Sequence, residues 1–405
     1  MRIMIVTDQY IPMVGGVTAV TQGLATELAN RGHQVSLAAP GVVARNSHAI
    51  DRKVDIYYFS SFRWPIYEGM RIPYVPFLSF RRLLKKFEPD VIHIHSPVVL
   101  ANIAQIEASR LQIPVAMTNH YLPVNLSRSL KVDTHIGKPF KALFYTYLVQ
   151  LCNRCEYVTA PTKTALNLLY EHGLKAPAQA ISNGIDLKRF SPGQPDDQLR
   201  RRFKLPLDRP LILSVNRLSR EKRIDVLIDA AAKLEQDAHV VIASIGPDEE
   251  DLHNQVERLN LNDKVTFLGF VDDAELAPLY RLADIFAIPS QAELQSLATM
   301  EAMSCGLPIV AANAYALSEL VHHHHSGFLF TRGNSDEMAV YLDTLVADRE
   351  LRKQMGANSL QLIAKHDRTQ IIHQWEALYY RLSTEFIEAK ERLIRQHSRF
   401  KEILS

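Results

Sequence analysis

A strand, a glycine loop, an amphipathic helix and a second strand follow one another within residues 2–39, and that grammar returns along most of the chain. Arg2–Thr7 is a short apolar run of the kind shown by a parallel strand buried on both faces. After Pro12 and Gly15-Gly16, Val17, Val20, Leu24 and Leu28 recur at steps of three and four, which predicts an amphipathic helix closed by Gly32. Val35–Ala39 reads as the next strand, and further strands are expected at Asp90–His95, Val115–Asn119 and Tyr157–Ala160. Strands that alternate with helices in this way pair in parallel through crossover connections, so the expected fold class is α/β.

A polar stretch, Ser191-Pro-Gly-Gln-Pro-Asp-Asp197, has the density of proline, glycine and aspartate of a linker. Beyond it a second series begins at Pro210–Val215 and continues through Val240–Ile245, Val265–Leu268, Ile285–Ile288 and Ile309–Ala311, with a helix expected over Asp225–Leu234. At 405 residues the chain has room for two domains of ordinary size. The expected organisation is two Rossmann-like domains, 1–190 and 191–369, and a tail of one or two helices, 370–405. Trp375, Leu378, Tyr379, Leu382 and Phe386 form one stripe of that tail, and the first domain is its expected partner.

Charge separates the halves: residues 1–190 hold 21 Lys and Arg against 12 Asp and Glu, and the remainder 25 against 32. A basic first half points to an anionic surface or ligand there, although no nucleic-acid binding module is recognisable. No apolar run reaches the roughly eighteen residues of a membrane span. The opening is not that of a cleavable secretory signal, and three cysteines cannot build a disulfide framework, so a cytoplasmic protein is expected.

Open parallel sheets bind ligands beyond the carboxyl ends of their strands, which selects a short set of residues. Gly15 and Gly16 follow the first strand, where backbone N–H groups and a helix start can face an anion; a plain structural turn is the other reading. Asn119-His120 and Asn216-Arg217 follow two more strands. Arg217 and Lys222 would hold a diphosphate by a guanidinium fork and a point charge, or else belong to a solvated basic loop. From Ile288 the chain enters a helix at about Ser296, which Gly306-Leu307-Pro308 closes. Glu293 stands before that helix and Glu301 inside it, among small and apolar residues that turn it inward. A half-buried carboxylate wants hydroxyl or N–H donors, which a sugar or a ribose supplies; a capping Glu293 and a surface Glu301 are the alternative.

The set Gly15-Gly16, His120, Ser182-Asn-Gly-Ile-Asp186, Arg217 with Lys222, and Glu293 with Glu301 ahead of Gly306-Leu-Pro308 resembles the retaining GT-B glycosyltransferases of family four, over residues 1 to about 385. Asp8–Thr18 and Glu293–Ala298 look most like the bacterial diacylglycerol glycosyltransferases within it. The resemblance implies a GT-B fold, two Rossmann-like domains facing a central cleft, with the C-terminal helix packed back on the first. It implies that Arg217 and Lys222 bind the donor diphosphate, that Glu301 accepts from the ribose hydroxyls and that Glu293 holds donor sugar hydroxyls. His120 would lie near the reacting sugar, with Gly15 on the acceptor and Gly16 on donor phosphate or acceptor. The backbone N–H groups of Ser296 and Leu297 would touch the sugar or distal phosphate. Family members often carry glycine where this chain has Ser296, a side chain that could narrow the sugar pocket.

No Asp-x-Asp follows a strand, and Asp196-Asp197 and Asp272-Asp273 stand in linker or turn contexts, so neither a metal nor a cofactor is expected. Arg217 and Lys222 would stabilise the departing diphosphate instead. No carboxylate nucleophile is evident, and the family reading is same-face attack in which the leaving phosphate takes the acceptor proton. Cys152 and Cys155 have redox spacing but follow an expected helix; His93 and His95 share a strand face, suited to hydrogen bonding or pocket lining; His322–His325 reads as a solvated loop. Phe80–Phe87 is basic and amphipathic, and Ser127–Tyr147 mixes lysines and an arginine with aromatic residues. Both suit an anionic membrane surface at the inner face, or an ordinary charged crossover helix. The expected function is transfer of a hexose, from UDP-hexose, to a lipid such as diacylglycerol. Transfer to a soluble acceptor and non-catalytic binding of a sugar nucleotide are the rival readings.

Overall fold

The computed structural model describes residues 1–13, 15–42, 46–64, 70–74, 77–122 and 137–404, which fall into two compact units. The first holds the described residues up to Ser182 together with those from Ile371 onward; the second runs from Asn183 to Gln370.

The first unit is built on β1 (Arg2–Val6), β2 (Gln34–Gly41), β3 (Ser47–Asp51), β4 (Val54–Arg63), β5 (Arg71–Pro73), β6 (Val91–Ile94), β7 (Val115–Thr118), β8 (Tyr157–Ala160) and β9 (Ala178–Ala180). They line up as β3-β4-β2-β1-β6-β7-β8-β9, with β5 added on β4. Pairing is parallel from β4 to β9. Ile3 to Val6 are fully buried, as a strand covered on both faces demands. The helix Gly16–Asn30 buries Leu24, Ala25, Leu28 and Ala29, and Gly32, at φ 89°, turns the chain out of it through the left-handed region.

β3 and β5 pair antiparallel to β4, an edge that the sequence reading did not include. Arg52 and Lys53, with φ of 49° and 66°, make the two-residue turn between β3 and β4. Ser47–Asp51 is exposed along almost its whole length, so it carries no apolar run to mark it.

The second unit contains β10 (Leu211–Val215), β11 (His239–Ala243), β12 (Val265–Gly269), β13 (Ile285–Ile288), β14 (Ile309–Ala312) and β15 (Gly327–Phe330), all parallel, in the order β12-β11-β10-β13-β14-β15. Alternate residues feed two cores: Ile212, Ile285 and Val310 on one face of the sheet, Leu213, Phe286 and Ile309 on the other. Ile185 and Phe190 also belong to this unit's core, although both precede the 190/191 boundary read from the linker. The Ile185 N–H donates to His366 O, and the Arg368 N–H to Ile185 O, which ties the segment to the far end of the same unit.

The tail is a single helix, Arg368–Leu404. Ile371, Ile372, Trp375, Leu378, Tyr379 and Leu382 are buried in the first unit's core beside Leu24 and Leu28, while Phe386 is half-buried.

Candidate active site

Each sheet reverses its winding once, between β1 and β6 in the first unit and between β10 and β13 in the second. At such a switch point neighbouring loops diverge to opposite faces and leave a crevice at the strand ends. The residues selected from the sequence cluster at these two places.

In the second unit, the chain leaving β10 passes Asn216 and the half-buried Arg217, then makes a short 3-10 turn, Arg220–Lys222. The Ser219 hydroxyl donates to Glu221 Oε1 at 2.6 Å. The loop leaving β13 is stitched to this turn: the Gln291 N–H and the Ser290 hydroxyl donate to the Glu221 carbonyl at 2.9 and 3.4 Å. Lys222 Nζ then lies 2.5 Å from Glu293 Oε1, with side chains 20% and 10% exposed. Arg217 and Lys222 both belong to this loop, and Glu293 meets Lys222 directly.

Ser296 caps the helix Leu297–Ser304, its Oγ accepting from the Thr299 N–H at 3.2 Å and from the Thr299 hydroxyl at 2.9 Å. That hydroxyl is turned onto its own helix. Apart from the capped Thr299 N–H, the first N–H groups of the helix have no intrahelical acceptor, as at any helix start. Glu301 lies in this helix and accepts from the Tyr280 hydroxyl at 2.8 Å; burial raises its pKa against the lowering effect of that bond and of Arg189. Gln295 Oε1 accepts from the Asn183 N–H at 2.8 Å, which brings the Ser182–Asp186 segment to the same strand ends.

In the first unit, Gly15 precedes the helix that starts at Gly16, and a Cβ at Gly15 would meet no heavy atom within 4 Å, so internal packing does not demand glycine there. Asp8, after β1, is buried, with Oδ1 accepting from the Leu100 N–H at 2.9 Å and Oδ2 from the Ser96 hydroxyl at 3.0 Å. Burial outweighs those bonds and raises its pKa to about 6. His120 follows β7, half-buried, with Nε2 at 3.0 Å from His95 Nδ1. His95 Nε2 lies 3.1 Å from His93 Nδ1, which is 2.6 Å from the Tyr379 hydroxyl. Burial lowers all three imidazoles, His93 to about 3 and His120 to about 4.

The reading from sequence missed Tyr280, Glu221 and Tyr379. It also missed Gly246, where a Cβ would stand 2.2 Å from the Leu218 carbonyl, so a glycine lets β11's loop press on the Arg217 loop. The cysteines are buried, and desolvation pushes the Cys152 thiol up to about 12 and Cys155 further, which keeps both inert. The start of the Ser127–Tyr147 stretch, including Arg128, Leu130 and Lys131, lies outside the described residues. Among the described residues, no helix is long and apolar enough to cross a membrane.

Residues 14–189 match the description Glycosyltransferase Family 4, and residues 195–361 match Glycosyl transferases group 1. The chain belongs to glycosyltransferase family 4. Its similar relatives include the alpha-monoglucosyldiacylglycerol synthase of Streptococcus pneumoniae, 27% identical over 398 residues that cover 93% of this chain and 85% of that one. The GDP-mannose-dependent alpha-mannosyltransferase of Corynebacterium glutamicum is 26% identical over 93% of this chain and 86% of its own. The sulfoquinovosyl transferase of Arabidopsis thaliana is 30% identical over 76% of this chain, which spans 59% of that enzyme's length. Among solved structures, the sucrose-phosphate synthase of Thermosynechococcus elongatus superposes with a TM-score of 0.78 at 20% identity, over 95% of this chain and all of that one. The two parallel sheets and these neighbours define a GT-B fold. As a member of this family the chain is a glycosyltransferase that uses a nucleotide-sugar donor.

Proposed function

We propose that this glycosyltransferase moves a hexose from UDP-hexose to a membrane lipid such as diacylglycerol, with retention and without a metal ion. The observation that carries the donor half is the Lys222–Glu293 pair beside the capped start of the helix that bears Glu301. Arg217, Lys222 and the first N–H groups of that helix take the diphosphate, and Glu301 accepts from ribose hydroxyls. Glu293 holds the sugar, while His120 and the Gly15-Gly16 turn serve the reacting end and the acceptor. As the sugar–phosphate bond breaks, charge accumulates on the diphosphate, where these cations already stand. The leaving phosphate takes the acceptor proton on the face it departs from. A HepE protein of Anabaena, 22% identical with a TM-score of 0.77, was solved with UDP and glucose, which supports the choice of donor.

The lipid half rests on the Streptococcus pneumoniae relative and on two exposed groups of side chains in the first unit. The helix Phe77–Phe87 exposes Leu78 beside Arg82, Lys85 and Lys86, and the exposed rings of Phe62 and Tyr74 stand 5.4 Å apart. Cations alternating with apolar side chains suit an anionic bilayer surface. Purified protein incubated in chelator with UDP-, GDP- or ADP-hexoses should release UDP and form glycolipid only when diacylglycerol vesicles are present. Release that ignores the vesicles would move the acceptor to soluble compounds. No release with any donor, even after metal and soluble acceptors are added, would leave a non-catalytic sugar-nucleotide protein.

A further inference from the structure

Tyr280 is fully buried, yet it ends in a hydroxyl that needs an acceptor. It stands in the helix Asp273–Leu282, and its ring packs in the second unit's core against Phe190 and Phe286, with centroids 5.9 and 5.8 Å away. The acceptor is Glu301 Oε2 at 2.8 Å. Among the described residues this is the one hydrogen bond to the Glu301 carboxylate.

The other charges around Glu301 act on it without touching it. Arg189 favours its ionised form but is paired with Asp273 at 2.7 Å, and Arg368 does the same from beside Asp186 at 3.8 Å. Asp273 opposes them, and the Cys305 thiol, pushed up to about 12 by burial, stays neutral. An ionised carboxylate accepts at about four lone-pair positions, so a single donor leaves most of that capacity unmet. The helix Leu297–Ser304 shows where the remainder faces. It buries Thr299, Met300, Ala302, Met303 and Ser304, while Leu297, Ala298 and Glu301 are half-buried. Steps of three and four put those three on one face of the helix, the side left open. Tyr280 holds Oε2 on the core side, which leaves Oε1 for a ligand at the open face.

We infer that Tyr280 is a positioning residue for donor binding, whose hydroxyl anchors Glu301 Oε2 so that Oε1 is aimed at the ribose hydroxyls of the nucleotide. That role rests on the ribose contact assigned to Glu301 above. The same bond favours the charged carboxylate against the burial that disfavours it. Tyr280→Phe keeps the ring and its packing but frees the carboxylate to turn and pushes its pKa further up. A ribose contact that needs the ionised form is then regained only at higher pH.

The test is calorimetric titration of the full-length protein with UDP, GDP and ADP, and then with the 2′,3′-dideoxy form of the nucleotide that binds, between pH 6.5 and pH 9. The ratio of the two affinities cancels titrations that act on the diphosphate, so its pH dependence reports on the ribose contact. The wild type should favour the ribose form about a hundredfold. Tyr280→Phe should cut that preference about tenfold at pH 6.5, recover part of it at pH 9, and raise donor KM with little change in kcat. Glu301→Asp keeps the charge but draws the carboxylate back from the Tyr280 hydroxyl by one methylene. It should also lose the preference, and it serves if Tyr280→Phe does not fold. Wild-type preference in either variant, or a loss in Tyr280→Phe that is the same at both pH values, would overturn the role of Tyr280 alone. Wild-type protein that binds none of the three nucleotides, or binds ribose and dideoxy forms equally, would overturn the ribose contact and this role with it.

Discussion

Lys222→Ala lowers kcat for sugar transfer by about a thousandfold, with a smaller change in donor KM. The expectation follows from how the ammonium is held. Its nitrogen is 2.5 Å from Glu293 Oε1, its side chain is only 20% exposed, and the 3-10 turn that carries it is bonded to the loop after β13. A cation fixed in this way needs no reorganisation when charge develops on the leaving diphosphate, and poor access to water strengthens its effect. Removing it also leaves the buried Glu293 without this partner, which lowers stability. The thermal midpoint must therefore be measured beside kcat and KM. Lys222→Arg keeps the charge and should recover part of the rate. Wild-type turnover in a folded Lys222→Ala protein would remove Lys222 from the site.

The second large effect is on stability. Between pH 6 and pH 5 the first unit should lose roughly 3 kcal/mol against unfolding, equivalent to about two protons. His93, His95 and His120 titrate near their ordinary value once unfolded, but burial holds them far lower in the folded chain. Below about pH 6.5 the unfolded state thus binds up to three protons that the folded state refuses, so their contribution is complete above that pH and is lost as the pH falls. Asp8 opposes them: with a pKa raised from 3.8 to about 6, the folded state holds one extra proton in the same window. Both tryptophans, Trp64 and Trp375, belong to this unit, so their fluorescence in urea at a series of pH values reports on it alone. A midpoint that stays flat or rises toward pH 5 would mean that the imidazoles accept protons in place.

The parallel strands were legible because burial on both faces makes each an uninterrupted apolar run, and their ends selected Arg217, Lys222 and His120. The antiparallel edge was not, because Ser47–Asp51 faces water and its pairing depends on β4. Glu293 and Lys222 were each visible, but the bond between them spans 71 positions and is made by two loops meeting at a sheet reversal. Tyr379 stood out as an apolar ring on a helical stripe. Its hydroxyl acquires meaning only when the fold sets it against His93, 286 residues earlier. Ser296 shows the same limit: spacing marks a helix start, while the direction of the side chain is decided by Thr299.

The long final helix makes the first unit discontinuous, since its core needs Ile371 to Leu382 as well as residues 3 to 181. A ribosome produces those twelve positions only after the whole second unit has been translated. Until then the groove that receives Trp375 is open and its apolar lining is exposed. The unit made first is therefore completed last, and no cut at the linker yields an intact half. A nascent chain of this enzyme cannot hold the Tyr379–His93 bond before its other half exists.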